Sequence, residues 1–358
     1  MRLPEARTPD PRSAPAIRWG ILAPGGIAHT FAQAVALGPS TVVAVGSRSA
    51  DRAQAFANEF GIKRAHGSYE ALVADPDVDA IYVASPHSEH REHALLAIGA
   101  GKPVLVEKAF VRNAIEAREV FAAAARGGLL VAEAMWSRYL PHYDVVRQAI
   151  DSGLIGEVAL VTADHSQPLY PGGPERLEAP ELAGGALLDL GVYPISFADF
   201  VLAAPTSVTA RGRLTDRGVD HTVGILLEAQ SGSDPGSESG PGSETSGLGA
   251  EAALTTSMHG LGPVTAVVIG TKGRLELDGW FYTPTTVRLV APDGTVLDER
   301  PGVLPDGVIG FSYETAEFAR CLAAGVTESP VMPHAATLRV METMDEIRAQ
   351  IGVVYPGE

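Results

Sequence analysis

The sequence predicts a doubly wound parallel α/β sheet followed by an open, mostly antiparallel sheet of the α+β kind. Three observations carry this. From Arg18 to about Met135, short apolar runs alternate with stretches of helical spacing, the texture of βαβ units. Beyond Ser152 the chain turns to strand-like runs punctuated by hairpin signals. At 358 residues it also exceeds one typical domain of about 100 to 200 residues.

In the first half the strand candidates are Trp19 to Ala23, Val42 to Val45, Ala80 to Ala84, Val104 to Val106 and Leu129 to Ala132. Between them Ile27 to Leu37, Ala50 to Phe60, Tyr69 to Ala74, Ser88 to Ala100 and Ala114 to Ala125 space Ala, Leu and Phe as helices do. In the second half the candidates are Glu157 to Ala163, Thr206 to Arg213, His221 to Leu227, Ala252 to Met258, Thr265 to Ile269 and Val287 to Leu289. Lys272-Gly273 and Asp293-Gly294 read as hairpin turns, and Ala335 to Ile351 closes the chain as a helix. The expected division is a disordered leader over 1–16, a nucleotide-binding domain over 17–137 and a substrate and oligomerisation domain over 138–358. Residues 231–249, almost entirely Gly, Ser, Glu, Pro and Thr, read as a mobile insertion between two strands.

The formal net charge of -16, with no block rich in Lys or Arg to offset it, argues against nucleic acid and anionic membrane partners. A single cysteine, Cys321, forms no intramolecular disulfide and fits a reducing, cytoplasmic location. The leader lacks the apolar core of a secretory signal, and no stretch reads as the roughly 20 apolar residues that span a bilayer.

Where the first strand turns into the first helix, Ala23-Pro24-Gly25-Gly26-Ile27 occupies the place of a pyrophosphate-binding turn. Against the G-x-G-x-x-G pattern, Ala23 and Ala28 replace the outer glycines and Gly25 keeps the central place. The second strand ends in Ser47-Arg48-Ser49, without the acid that would bond a ribose 2′-hydroxyl. Arg48 and Ser47 suit a 2′-phosphate, so NADP is favoured over NAD as cofactor. Lys108 directly follows the apolar run Val104 to Val106, which places a cation at the ligand cleft of such a sheet. Asp189 and Tyr193, four apart in Gly185-Ala-Leu-Leu-Asp-Leu-Gly-Val-Tyr193, share one face of a helix. His87, His90 and His93 recur at every third residue, but two such steps drift about 120° around a helix and no Cys or carboxylate cluster completes a metal set, so no metal is expected. In the alternative reading His87 stands at the strand end near the cofactor, His90 at the helix start, and His93 is exposed. Trp136 and Arg138 follow another strand and read as cleft contacts or as packing between domains. The loop Ser166 to Ala183, with Tyr170 and Arg176, is placed to recognise substrate.

The turn Trp19-Gly-Ile-Leu22, the stretch Pro86-His-Ser-Glu-His90, the run Gly101-Lys-Pro-Val-Leu-Val-Glu-Lys108, the run Glu133-Ala-Met-Trp-Ser-Arg138 and the segment Gly185 to Tyr193 together resemble the glucose-fructose oxidoreductase, inositol dehydrogenase and rhizopine catabolism family, nearest its dimeric dihydrodiol dehydrogenase and D-xylose dehydrogenase branch. The resemblance runs from about Ile17 to the end, outside the insertion. It implies a Rossmann domain and an open sheet whose exposed face pairs two copies, making a homodimer or larger homo-oligomer. It also implies that Lys108 and Tyr193 are catalytic and that Asp189 positions substrate or tunes the pair. His87, Glu107 and Trp136 would line the nicotinamide pocket beside Ser85 and His90, with Arg138 close by. One departure is Ala109, where the family usually carries proline.

Alcohol oxidation needs a base within reach of the hydroxyl proton, and a tyrosine serves if its pKa falls from about 10. A neighbouring ammonium such as Lys108 would lower it. The leading expectation is therefore an NAD(P)-dependent oxidoreductase acting on a hydroxyl of a sugar or vicinal diol. The alternatives are an NAD-dependent glycosidase and a non-catalytic sugar or nucleotide sensor of the same fold.

Overall fold

Apolar runs with no polar alternation belong to strands covered on both faces, and that is how the first sheet is built. In the computed structural model, which describes residues 1–229 and 249–358, six strands run parallel: β1 (Arg18–Leu22), β2 (Thr41–Gly46), β3 (Arg64–His66), β4 (Ala80–Val83), β5 (Val104–Glu107) and β6 (Val131–Ala134). Their order is β3-β2-β1-β4-β5-β6. The helices α1 (Gly26–Ala36), α2 (Ala50–Phe60), α3 (Tyr69–Val73), α4 (His90–Gly99) and α5 (Ala114–Gly127) connect them. Ser49, Ser68 and Asn113 cap α2, α3 and α5 by accepting a backbone N–H three residues on. The chain reverses direction across the sheet between β1 and β4, which opens a crevice beyond their C-terminal ends.

The second sheet has eight strands. After α6 (Pro141–Asp151) come β7 (Val158–Ser166), α7 (Val192–Leu202), β8 (Ser207–Leu214), β9 (Asp220–Ala229), β10 (Ala250–Ser257), β11 (Ala266–Gly270), β12 (Gly273–Leu277), β13 (Val287–Val290) and β14 (Val296–Arg300). They lie in the order β14-β13-β12-β11-β7-β10-β9-β8, and every neighbouring pair is antiparallel except β7 with β10. Val161, Ile225, Leu254 and Val268 alternate onto the inner face, where they join one core with α7 and α9 (His334–Ile351). The stretch Pro180–Leu202 is long and apolar enough, by length and composition, to cross a bilayer, contrary to the sequence reading. Here it is mostly buried as the spine of the second unit.

The leader is also corrected. Leu3 is buried, its N–H donates to Asp298 Oδ2 at 2.8 Å, and its carbonyl accepts from Arg300 at 3.1 Å. Farther along, Arg7 pairs with Asp144, and Arg320 donates to the Asp10 carbonyl at 2.9 Å. Body side chains thus satisfy the leader backbone, a source of order that leader composition does not reveal.

The expected boundary at 138 fails in one place. The helix α8 (Phe311–Ala324) returns to the first sheet, where Phe318 lies 5.0 Å from the Trp19 ring and joins Phe31 and Cys321 in one cluster. Of the proposed 231–249 insertion, 231–248 lie outside the described residues. The strands β3, β12 and β14 and the helices α6 and α8 were not read from the sequence: three are short or flank a turn, and α8 carries its apolar face among acids.

Candidate active site

The C-terminal ends of β1, β4, β5 and β6 converge on the crevice. After β1, Ala23 adopts a left-handed φ of 69°, a conformation that costs a non-glycine residue about 1 kcal/mol and concentrates at ligand sites. It places the turn at the start of α1, which has no side-chain cap to occupy its first N–H groups. A β-carbon at Gly25 would meet only the Ala84 carbonyl, at 3.9 Å. Packing within the chain therefore does not explain glycine there, whereas a pyrophosphate approaching the helix N-terminus does. Arg48 is exposed beyond β2, and Ser47 is buried beside it, accepting the Ser49 N–H. The turn and the arginine fit a dinucleotide.

Lys108 follows β5 and reaches the second unit. Its Nζ donates to the Asp189 carbonyl at 2.8 Å and lies 3.3 Å from Asp189 Oδ1. Asp189 sits in a π-helical turn, residues 187–191, that leads into α7. Arg176, from the loop after β7, approaches the same carboxylate at 3.1 Å. Burial would raise Asp189, but Lys108 and Arg176 outweigh it and hold the carboxyl well below the usual carboxylate range. Tyr193, one turn on, is buried, with its ring centroid 5.1 Å from Lys108 Nζ. Trp136 Nε1 donates to the Tyr193 hydroxyl at 2.9 Å. The trio read from the sequence is assembled at one point.

Aromatic groups from β7 and from the loop between β12 and β13 wall this point. The Tyr282 ring lies 4.2 Å from Tyr193 and 4.4 Å from His165, with half-exposed Trp280 farther out. His165 faces the Leu190 carbonyl through Nδ1 at 3.1 Å and the Gln167 amide through Nε2 at 2.8 Å. Burial lowers its pKa to about 4, so the ring is neutral, donating from Nδ1 and accepting at Nε2. None of His165, Gln167, Trp280 or Tyr282 was singled out from the sequence; the aromatic run Trp280-Phe281-Tyr282 was the available signal.

Two family models cover most of the chain: residues 17–135 match the oxidoreductase family with an NAD-binding Rossmann fold, and residues 143–276 match the GFO/IDH/MocA C-terminal domain. The chain belongs to the GFO/IDH/MocA oxidoreductase family. It is similar to trans-1,2-dihydrobenzene-1,2-diol dehydrogenase of Xenopus laevis, 36% identical over 95% of this chain and 100% of that protein. The Mus musculus enzyme of the same name is 35% identical over 96% and 99%. Among solved structures, the 3-ketoreductase KijD10 of Actinomadura kijaniata, in complex with TDP-benzene and NADP, is 30% identical with a TM-score of 0.76, covering 94% of this chain and 98% of that one.

Within this GFO/IDH/MocA site several expected residues take other positions. Arg138 does not face the cleft: it donates to Ser196 Oγ at 2.8 Å and to Asp199 Oδ2 at 2.9 Å beneath α7. A buried guanidinium needs a carboxylate, and Asp199 supplies it. Glu107 turns into the protein, one oxygen accepting from the Tyr82 hydroxyl and the other from the Lys108 N–H at 3.1 Å. It braces Lys108 from behind instead of lining the pocket. His87 lies between the carbonyls of Ala183 and Lys108, at 3.3 and 3.2 Å, and burial lowers its pKa to about 3. His90 spans from the Ser85 carbonyl, at 2.7 Å, to those of Ala109 and Phe110. This anchors the backbone beyond Lys108 where Ala109 stands. His93, expected to be exposed, is buried with Nδ1 2.9 Å from Ser85 Oγ.

The Tyr193 pKa is the main correction. Burial pushes it well above the ordinary phenol value; the Trp136 N–H pulls it back, while Glu107 and Asp189 push it up further. Lys108 engages Asp189 and the ring face, leaving the hydroxyl to Trp136. The phenol is neutral in this arrangement.

The placement of Arg138 has a direct consequence. Arg138→Ala should lower unfolding stability by about 2 kcal/mol: it removes one of two guanidinium partners of the buried Asp199 carboxylate, which keeps Arg339 at 2.7 Å. NADP affinity should stay within about twofold, since the side chain does not reach the cleft. Denaturant melts and cofactor titration by tryptophan fluorescence check both.

Proposed function

We propose that the protein catalyses reversible hydride transfer between NADP(H) and a ring-borne secondary hydroxyl, or the matching ketone, of a sugar or vicinal diol. The observation that carries this is the meeting of Lys108, Asp189 and Tyr193 at the C-terminal edge of a dinucleotide-type sheet. NADP, when bound, supplies or accepts the hydride. Ala23 to Ile27 would hold its pyrophosphate, and Arg48 with Ser47 its 2′-phosphate. KijD10 was solved with NADP, which supports that preference.

Tyr193 is the acid in reduction and the base in oxidation. Its hydroxyl oxygen already accepts the Trp136 N–H, so its own proton is free to go to a developing alkoxide. Lys108 has three N–H donors, and Asp189 engages two directions of them. The third polarises the substrate oxygen. The flat walls of Tyr282 and Trp280 suit a ring, and Gln167 and Arg176 offer donors to its other hydroxyls. The dihydrobenzenediol relatives support a vicinal diol as the substrate class. On the outer face of the second sheet, Leu226 is 53% exposed, and we propose that face as the contact between two copies; multi-angle light scattering should give twice the chain mass, and Leu226→Arg should shift it toward one.

The reaction is tested by nicotinamide absorbance with aldoses, inositols and trans-cyclohexane-1,2-diol, offered with NADP⁺ or NAD⁺. Steady reduction of NADP⁺ is expected. Tyr193→Phe and Lys108→Ala should lower turnover by roughly 100-fold or more while NADP still binds, and Arg48→Ala should erase the preference for NADP. Because the raised Tyr193 pKa keeps the phenol protonated at neutral pH, oxidation should accelerate roughly tenfold per pH unit on the alkaline side while ketone reduction does not. Near-normal turnover of Tyr193→Phe sinks the assignment.

A further inference from the structure

Asp220, at the first position of β9, is fully buried and lies outside the group assigned to chemistry. Its Oδ2 accepts the Leu187 N–H at 2.7 Å, in the first turn of the segment that carries Asp189 two residues later and Tyr193 six residues later. Its Oδ1 has no hydrogen-bond partner and lies where a β-carbon at Gly185 would stand only 2.2 Å away. Gly185 has φ 115°, a conformation and a clearance that together exclude a side chain. The turn is gripped from other sides as well. Its N–H donates to the Leu177 carbonyl at 2.9 Å, and Gly184 accepts from the Tyr355 hydroxyl at 2.9 Å.

We propose that Asp220 is a positioning residue for hydride transfer: its carboxylate, fitted into the notch at Gly185 and bonded to Leu187, sets where the π turn places Asp189 and Tyr193 against Lys108. An anion at a helix N-terminus is electrostatically favoured, and one bonded to a turn with no room beside it fixes position as well as energy. Burial pushes the Asp220 carboxyl up to about 6, against the pull of the Leu187 N–H and Arg348. A buried carboxyl is an expensive way to hold a helix when an apolar residue would pack there, and a role in placing the site accounts for it.

This inference rests on the roles given above to Lys108 and Tyr193, and the experiment separates the two. Wild type, Asp220→Ala, Asp220→Asn and Tyr193→Phe are compared for kcat and KM with trans-cyclohexane-1,2-diol and D-xylose, for NADP affinity and for thermal unfolding. Asp220→Ala is expected to lose roughly 10- to 100-fold in kcat, as a shift of about 1 Å in reacting groups costs. NADP affinity should not change, and Asp220→Asn, which still accepts the Leu187 N–H, should recover most of the loss. A folded Asp220→Ala with kcat within twofold of wild type, or an Asn variant as impaired as Ala, overturns the proposal. Should Asp220→Ala not fold, Asp220→Glu decides: the extra methylene has no space at Gly185, so kcat should fall, and an unchanged kcat overturns the proposal. Near-normal Tyr193→Phe instead overturns the underlying chemistry, whatever Asp220 does.

Discussion

The contact on which the rest depends is the one between Lys108 and Asp189. It spans the crevice from the end of β5 to the π turn before α7 and so joins the nucleotide-binding sheet to the second unit. A half-buried ammonium needs acceptors, and Asp189 offers both its carbonyl and its carboxylate. The same carboxylate also takes Arg176, so two cations hold one anion and keep it ionised. With the lysine held this way, its charge lies against the Tyr193 ring, and Trp136 holds the phenol oxygen from the other side.

The acids behind β5 and β6 make that arrangement selective. Burial raises Glu107 and raises Glu314 well above the carboxylate range, and it pushes Glu133 up to about 7. Groups driven toward their neutral form compete weakly for an ammonium. Asp189, held low by its two cations, is left as the ionised partner of Lys108. Glu107 serves the lysine through its backbone, with Tyr82 beneath it. The histidines that recur at every third residue are engaged with backbone carbonyls and Ser85, holding the chain on either side of Lys108.

The parallel first sheet, the glycine turn after its first strand and the residues Lys108, Asp189 and Tyr193 that the fold brings together were legible because each is a local pattern: an apolar run, a turn, a spacing of four. What was missed depends on tertiary environment. The depressed tyrosine pKa was inferred from charge alone, whereas burial of Tyr193 dominates. Following β6, Arg138 read as a cleft contact or as packing between domains; Asp199, far away in sequence, turns it under α7. The leader is ordered by Asp298, Arg300 and Asp144, and α8 returns to Trp19 across the whole second unit. Asp220 carries no sequence signal, since only the fold brings the start of β9 to the Gly185 notch.

The central claim is that Lys108 and Asp189 act as one unit across the crevice. A double-mutant cycle of Lys108→Met and Asp189→Asn, read in kcat/KM for trans-cyclohexane-1,2-diol with NADP⁺, measures it most directly. If the contact organises the site, the double variant is scarcely worse than the poorer single variant, with a coupling of about 2 kcal/mol. Losses that simply multiply would contradict the account, because each residue would then act without the other.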